Sequence, residues 1–291
     1  MNIQTATAHG IQNTSTSLLG LLDYWECIIN LKNKSAQHGC LPIEQATGEI
    51  QPGDVFIITG EHTSYYDAIA RALAVNTLNA GGRTLFVGSR AMVRHFMCEL
   101  VAREVSLPLS QVMKAQFSDE QWLQVHRVME GVKKQNSLFT AIVTDTYFDH
   151  YLKLLNQALT DNADIELVCI EGVSDYSWQS SSGFIAQRLK AWALRHRVAV
   201  VIAVEVTHNT TDIRVPECLP PYWGAPDFTD GILLCEQHKP NTIGLRTCPR
   251  SVDVRYDSRM GAGHLNVALS HDGIGRVDVS PLVDTNNDEE K

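Results

Sequence analysis

From residue 54 onward the chain alternates short apolar runs with helical patterns. Residues 55–59 are apolar and β-branched, which predicts a buried strand ending at Gly60. A helical pattern follows over residues 65–78 and stops before Gly81-Gly82, and residues 84–87 read as a second strand. Residues 92–105 are amphipathic. Ser118-Asp-Glu-Gln121 has the form of a capping box, and Trp122, Val125, Met129 and Val132 then share one helical face. Further buried-type strands are predicted at 139–144, 167–171 and 198–206, separated by helices near 147–159 and 183–197. Strands apolar on both faces that alternate with helices predict a parallel sheet covered on both sides. Beyond Pro226 the pattern changes to strands at 232–235, 243–246, 265–269 and 276–279, with a hairpin signal at Asp272-Gly273. The predicted fold is therefore α/β: a mainly parallel twisted sheet with helices on both faces and antiparallel C-terminal edge strands.

Four segments are expected. Residues 1–16 form a disordered polar arm, and 17–37 a helix and linker in which Leu18, Leu21, Leu22, Trp25, Ile28 and Ile29 make one apolar stripe. That stripe needs a partner surface, on its own domain or on a neighbouring subunit. Residues 38–281 form the domain, and 282–291 an acidic disordered tail containing Asp288, Glu289 and Glu290. With 291 residues, 44% of them hydrophobic, the core is amply supplied. The N-terminal residues do not read as a signal peptide, and no apolar run approaches the roughly 18 residues of a membrane span. The expected location is cytoplasmic.

The formal net charge of -9 argues against a general positive field for nucleic acid, though not against a local basic patch. Seven cysteines without a C-x-x-C pair read as reduced, buried thiols. Eleven histidines form no tight cluster with Cys, Asp or Glu, so no metal and no cofactor is expected. Gly261-Ala-Gly263-His264 lacks the third glycine of a dinucleotide fingerprint and reads as a loop before Leu265.

The entry segment Thr47-Gly48-Glu49-Ile50-Gln51-Pro52-Gly53-Asp54, running straight into residues 55–60, resembles the start of the RecA-like ATPase core of DnaB-type replicative helicases. Gln116-Phe-Ser-Asp-Glu-Gln-Trp122, Phe184-Ile-Ala-Gln-Arg-Leu-Lys-Ala191 with Val198-Ala-Val-Val-Ile202, and Leu269-Ser-His-Asp-Gly-Ile-Gly-Arg276 are each similar to later family segments, in the same order. The resemblance covers residues 38–280 and implies a RecA-like fold of the P-loop NTPase type.

It also implies a phosphate loop at Gly60-Glu61-His62-Thr63-Ser64-Tyr65-Tyr66-Asp67. A working loop of the form G-x-x-x-x-G-K-[ST] needs a bare second glycine, a lysine for the β/γ oxygens and a hydroxyl for magnesium. Here Tyr65, Tyr66 and Asp67 stand at those positions, and only Gly60 matches. The catalytic glutamate's position falls near Arg90, where no acid is found. Glu171 and Glu205 fall at the Walker B and sensor positions, and otherwise read as polar ends of buried strands. Arg246 and Arg250 lie near the family's finger residues. With Arg255 and Arg259 they form the best candidate patch for DNA or subunit contact, against the plainer reading of a solvated surface. Tyr222 and Trp223, in an exposed-looking Pro-rich loop, either grip a partner or a base or fold back on the domain. The expectation is a non-catalytic pseudo-ATPase that binds protein partners or itself. The alternatives are a nucleotide- or single-stranded-DNA-binding protein, with Tyr65 or Tyr66 stacking on a base and His62 on an oxygen, or a helicase subunit completed by a partner.

Overall fold

The computed structural model describes residues 41–62, 64–144, 147–162, 164–179, 181, 183–207, 214–237, 250–271 and 277–281. The polar arm, the stripe between Leu18 and Ile29, the acidic tail, Thr63, the strand expected at 243–246 with Arg246, and the Asp272-Gly273 turn lie outside these residues.

The parallel half of the fold alternates as expected. A short helix α1 (Leu41–Thr47) leads to strand β1 (Val55–Gly60), helix α2 (Tyr66–Asn79), β2 (Thr84–Gly88) and α3 (Arg90–Val105). Next come α4 (Leu109–Met113), α5 (Asp119–Gln135), β3 (Leu138–Ile142), α6 (Phe148–Asp161), β4 (Leu167–Ser174), α7 (Ile185–His196) and β5 (Ala199–Glu205). Two 3₁₀ turns, Val215–Cys218 and Pro221–Trp223, and α8 (Ala225–Phe228) precede β6 (Gly231–Gln237), β7 (Arg250–Ser258), β8 (Gly261–His271) and β9 (Val277–Pro281). The strands make one nine-stranded sheet in the order β3-β2-β4-β5-β1-β6-β7-β8-β9. Pairings from β3 across to β6 are parallel, and those from β6 to β9 antiparallel.

Period-two alternation divides the core between the two faces. Val55, Ile57, Val168, Ile170, Val200 and Ile202 pack on one side with Leu155 of α6 and Leu189 of α7. Phe56, Ile58, Phe86, Cys169 and Val201 pack on the other with Ile69 and Leu73 of α2 and Phe96 of α3. The Gln51-Pro52-Gly53-Asp54 turn is structural: Asp54 Oδ2 accepts the Gln51 amide at 2.7 Å, and the Asp54 amide donates to Gln51 O at 2.9 Å. Lys190 Nζ closes the same end of the sheet, donating to Gly53 O at 2.9 Å and to Asp230 at 2.6 Å, while Asp230 accepts the Val55 amide at 2.8 Å.

Two expectations need correction. Residues 250–258 form strand β7, where no strand was expected, and Gly261–Gly263 belong to β8, where a loop was expected. The Tyr256 ring occupies the space over Gly263: a Cβ there would lie 2.5 Å from the phenol oxygen, so glycine lets the two strands pair. Helix α5 carries the full predicted capping box between Ser118 and Gln121, yet of its apolar face only Val125 is buried. Trp122, Leu123 and Met129 remain 42%, 60% and 54% exposed.

Candidate functional site

The carboxyl ends of β1, β4 and β5 meet the first turns of α2 and the middle of α3, the end of an open parallel sheet where ligand sites gather. Gly60 closes β1 against Ser64 and the Cys235 carbonyl; an added Cβ would lie 2.6 Å from that carbonyl oxygen. The chain then turns back on itself. The Ser64 amide and hydroxyl both donate to Glu61 O, at 2.9 and 2.8 Å, and Ser64 is buried. Glu61 and His62 are exposed. Tyr65 takes a left-handed conformation at φ 61° and opens α2 without a side-chain cap. Asp67 in the first helical turn supplies a favourable charge near the helix N-terminus, and its Oδ1 accepts the Ala68 amide at 2.9 Å.

Tyr66 is buried. Burial, joined by Glu205, Asp67 and Glu171, raises its phenol well above the ordinary tyrosine range, so the hydroxyl stays neutral. Glu205 ends β5 at the rim, with His62 Nδ1 at 3.7 Å.

The centre of the site is a residue that motif reading passes over. Arg71 emerges from α2 amid the buried run Ile69–Val75 and is itself buried. Its Nη1 lies 2.7 Å from Glu171 Oε1 and 3.0 Å from Asp67 Oδ2, and its Nε lies 3.0 Å from Glu99 Oε2 on α3. Burial opposes the guanidinium's charge, but Glu171, Glu99 and Asp67 outweigh it and hold Arg71 more firmly cationic than usual. His95, one turn before Glu99, approaches it at 3.2 Å, and that hydrogen bond raises the imidazole pKa. Glu171 is pushed up to about 7, by burial above all, and its Oε2 is buried with no hydrogen-bond partner.

A β-bulge aims Glu171 at this cluster. The β4 to β5 register slips between Ile170 and Val173, so both face the α6/α7 side while Glu171 between them faces α2. Gly172 takes up the extra residue at φ +84°, against the Met92 side chain.

The structure brings Gly60, Ser64, Tyr65, Tyr66, Asp67, Glu171 and Glu205 into one neighbourhood and adds Arg71, His95 and Glu99. The signals available in the sequence were a lone arginine inside an Ala-rich helix, four residues after Asp67, and the same spacing from His95 to Glu99. The candidate DNA patch comes out differently. Arg255 pairs with Glu236 at 2.7 and 2.9 Å, and Arg259 pairs with Asp54 at 2.8 Å and donates to Glu49 O. Both hold parts of the fold together. Arg250 sits in β7 opposite Leu269.

Trp223 is no exposed contact. Pro220-Pro221 start a 3₁₀ turn that rolls the indole into the core, where its Nε1 donates to Asp175 O at 3.0 Å and its ring lies 5.4 Å from that of Trp178. Tyr222 is half-buried, its hydroxyl bonded to the same carbonyl oxygen. Cys169, Cys218 and Cys235 are free and buried. Among the described residues no group of three or more His, Cys, Asp or Glu side chains is placed to hold a metal ion, and no helix is long and apolar enough to cross a membrane.

The fold is RecA-like, shared with solved helicase and ATPase-domain structures. Among solved structures, the chain is similar to a DnaB-like replicative helicase described with its interactions with primase, at TM-score 0.69 and 14% identity. The match covers 94% of this chain and 68% of that one. It is also similar to a second solved structure, described as an ATPase domain, at TM-score 0.67 and 14% identity, covering 91% of this chain and 99% of that one. No family model and no curated protein matches the chain.

Proposed function

We propose that the chain is a pseudo-ATPase: a RecA-like domain kept for its shape, which acts in assembly or regulation by binding protein partners or further copies of itself. The observation that carries this reading is the Arg71 guanidinium seated 2.7 Å from Glu171 and 3.0 Å from Asp67. In the helicase domains that the sequence resembles, the Glu171 position faces a magnesium ion and the Asp67 position carries the hydroxyl that helps bind it. Here a tethered cation fills the place of a metal, and magnesium nucleotide does not fit without displacing it. Tyr66 adds a buried ring where an ammonium group is needed, and Ser64 turns its amide to Glu61 O rather than toward a phosphate. Partner binding draws support from the exposed Trp122, Leu123 and Met129 on α5, and from a structural relative that was described with its interactions with primase.

The test is titration of the purified chain with a labelled ATP analogue, with and without magnesium, alongside its mass in solution. Absence of saturation up to millimolar nucleotide, together with a stable oligomer or complex, is the expected result. Saturable micromolar binding overturns the proposal.

A further inference from the structure

We propose that Asp67, Arg71, His95, Glu99 and Glu171 form a partly buried proton-binding cluster that couples the packing of α2 against α3 and β4 to pH. Three carboxylates converge on one permanent cation, at 2.7 Å for Glu171 and 3.0 Å each for Asp67 and Glu99. With all three ionised the cluster is two charges in excess. His95, 3.2 Å from Glu99 on the side away from Arg71, removes one of them when protonated.

The second proton belongs on Glu171. Its side chain is 8% exposed, against 15% for Glu99 and 35% for Asp67, so it has the least water to stabilise a charge. Its Oε1 takes the arginine contact, while Oε2 is buried without a hydrogen bond. A buried, unbonded carboxylate oxygen costs much more as an anion than as a neutral hydroxyl. The other ionisable groups facing the cluster do not supply the missing charge. Tyr66 on α2 and Cys169 on β4 are buried and held neutral, and Glu205 on β5 is a further acid at the rim.

The sign follows from proton counting. Folded Glu171 keeps its proton to about 7, whereas the unfolded carboxyl gives it up near 4.5. The stabilisation is complete at or below 4.5 and is lost as pH rises through about 7. Ionisation then adds repulsion within the cluster, and Asp67, its most exposed acid, is the group free to swing toward solvent. Asp67 lies in the first turn of α2, so the start of that helix feels the change.

The experiment compares urea unfolding of the full chain and of Glu171→Gln, which imitates the protonated acid, without nucleotide and across this pH range. The ratio of the wild-type folding constant to that of the variant is expected to fall by up to about tenfold per pH unit from 4.5 to 7. Parallel pH profiles for the two proteins overturn the proposal. If Glu171→Gln does not fold, infrared spectra of the wild type decide. A protonated carboxyl band at about pH 6 that disappears by about pH 8 supports the cluster, and its absence at about pH 6 overturns it. The inference concerns the site proposed above to be inert toward nucleotide, but no nucleotide enters the measurement, so the two readings fail separately.

Discussion

Arg71 is stable in an apolar helix face because three acids surround it, so its removal leaves the buried Glu171 and the half-buried Glu99 and Asp67 without their cation. Arg71→Met is expected to destabilise the domain by about 3–5 kcal/mol, the range for stripping one partner from a buried ion pair. Adding Glu171→Gln to that variant should recover a measurable part well above pH 7, where Glu171 is an anion, and little below it, where the acid is already neutral. Urea denaturation of the two single variants and the double variant gives the coupling directly. A loss of under about 1 kcal/mol for Arg71→Met would place the pair in the class of solvated surface bridges. At this scale the sequence was only half legible. Gly60, Tyr66, Asp67, Glu171 and Glu205 were readable from motif order, whereas Arg71 and Glu99 match no motif. Their role depends on α2 and α3 packing side by side, which spacing along either helix does not reveal.

Among the elements, the β4 bulge carries the geometry of the site, and the turn around Trp223 closes the core on the other face of the sheet. The β4 bulge turns Glu171 toward α2 and rests on Gly172, whose positive φ disfavours a side chain and whose added Cβ would displace the end of Met92. Gly172→Ala is expected to cost about 1–3 kcal/mol from backbone strain, with overpacking against Met92 added to it, read as a shift in the denaturation midpoint. Trp223→Ala is expected to cost about 3–5 kcal/mol by opening the core beside Trp178, whereas Trp223→Phe should lose much less. Equal stability of Trp223→Ala and the wild type would return the indole to the contact role that the sequence left open beside folding back on the domain. The parallel strands were legible because each is apolar on both faces, and α5 because Ser118 and Gln121 cap it. What α5 packs against was not legible, since an apolar stripe signals the need for a partner and not its identity. Strand β7 was hidden by its polar alternation, Asp253, Arg255 and Asp257 between Val252, Val254 and Tyr256, and by the arginines that drew attention to this stretch as a contact patch.

Over the whole molecule, charge is spent internally. The parallel half ends at β1 and β6, and the antiparallel half is tied back to it through Arg259 on Asp54 and Arg255 on Glu236. Lys190 holds Asp54 and Asp230 at the same end of the sheet. These bridges account for the chemical character of the entry turn that made the sequence recognisable: Asp54 caps the turn, opens the first strand and anchors the last hairpins. They also take two arginines out of the candidate patch for DNA, in a chain whose formal net charge is -9. Phosphate binding needs cations whose neutralisation releases counterions, and a guanidinium already neutralised by a carboxylate releases few. Labelled single-stranded DNA is therefore expected to show no saturable binding to micromolar protein at roughly physiological salt. Any binding seen at low salt should be unchanged by Arg255→Ala or Arg259→Ala, even where these variants lower the melting temperature. Loss of affinity and a shallower salt dependence in either variant, with the fold intact, would return that arginine to nucleic-acid contact and weaken the case for a domain that works through protein surfaces.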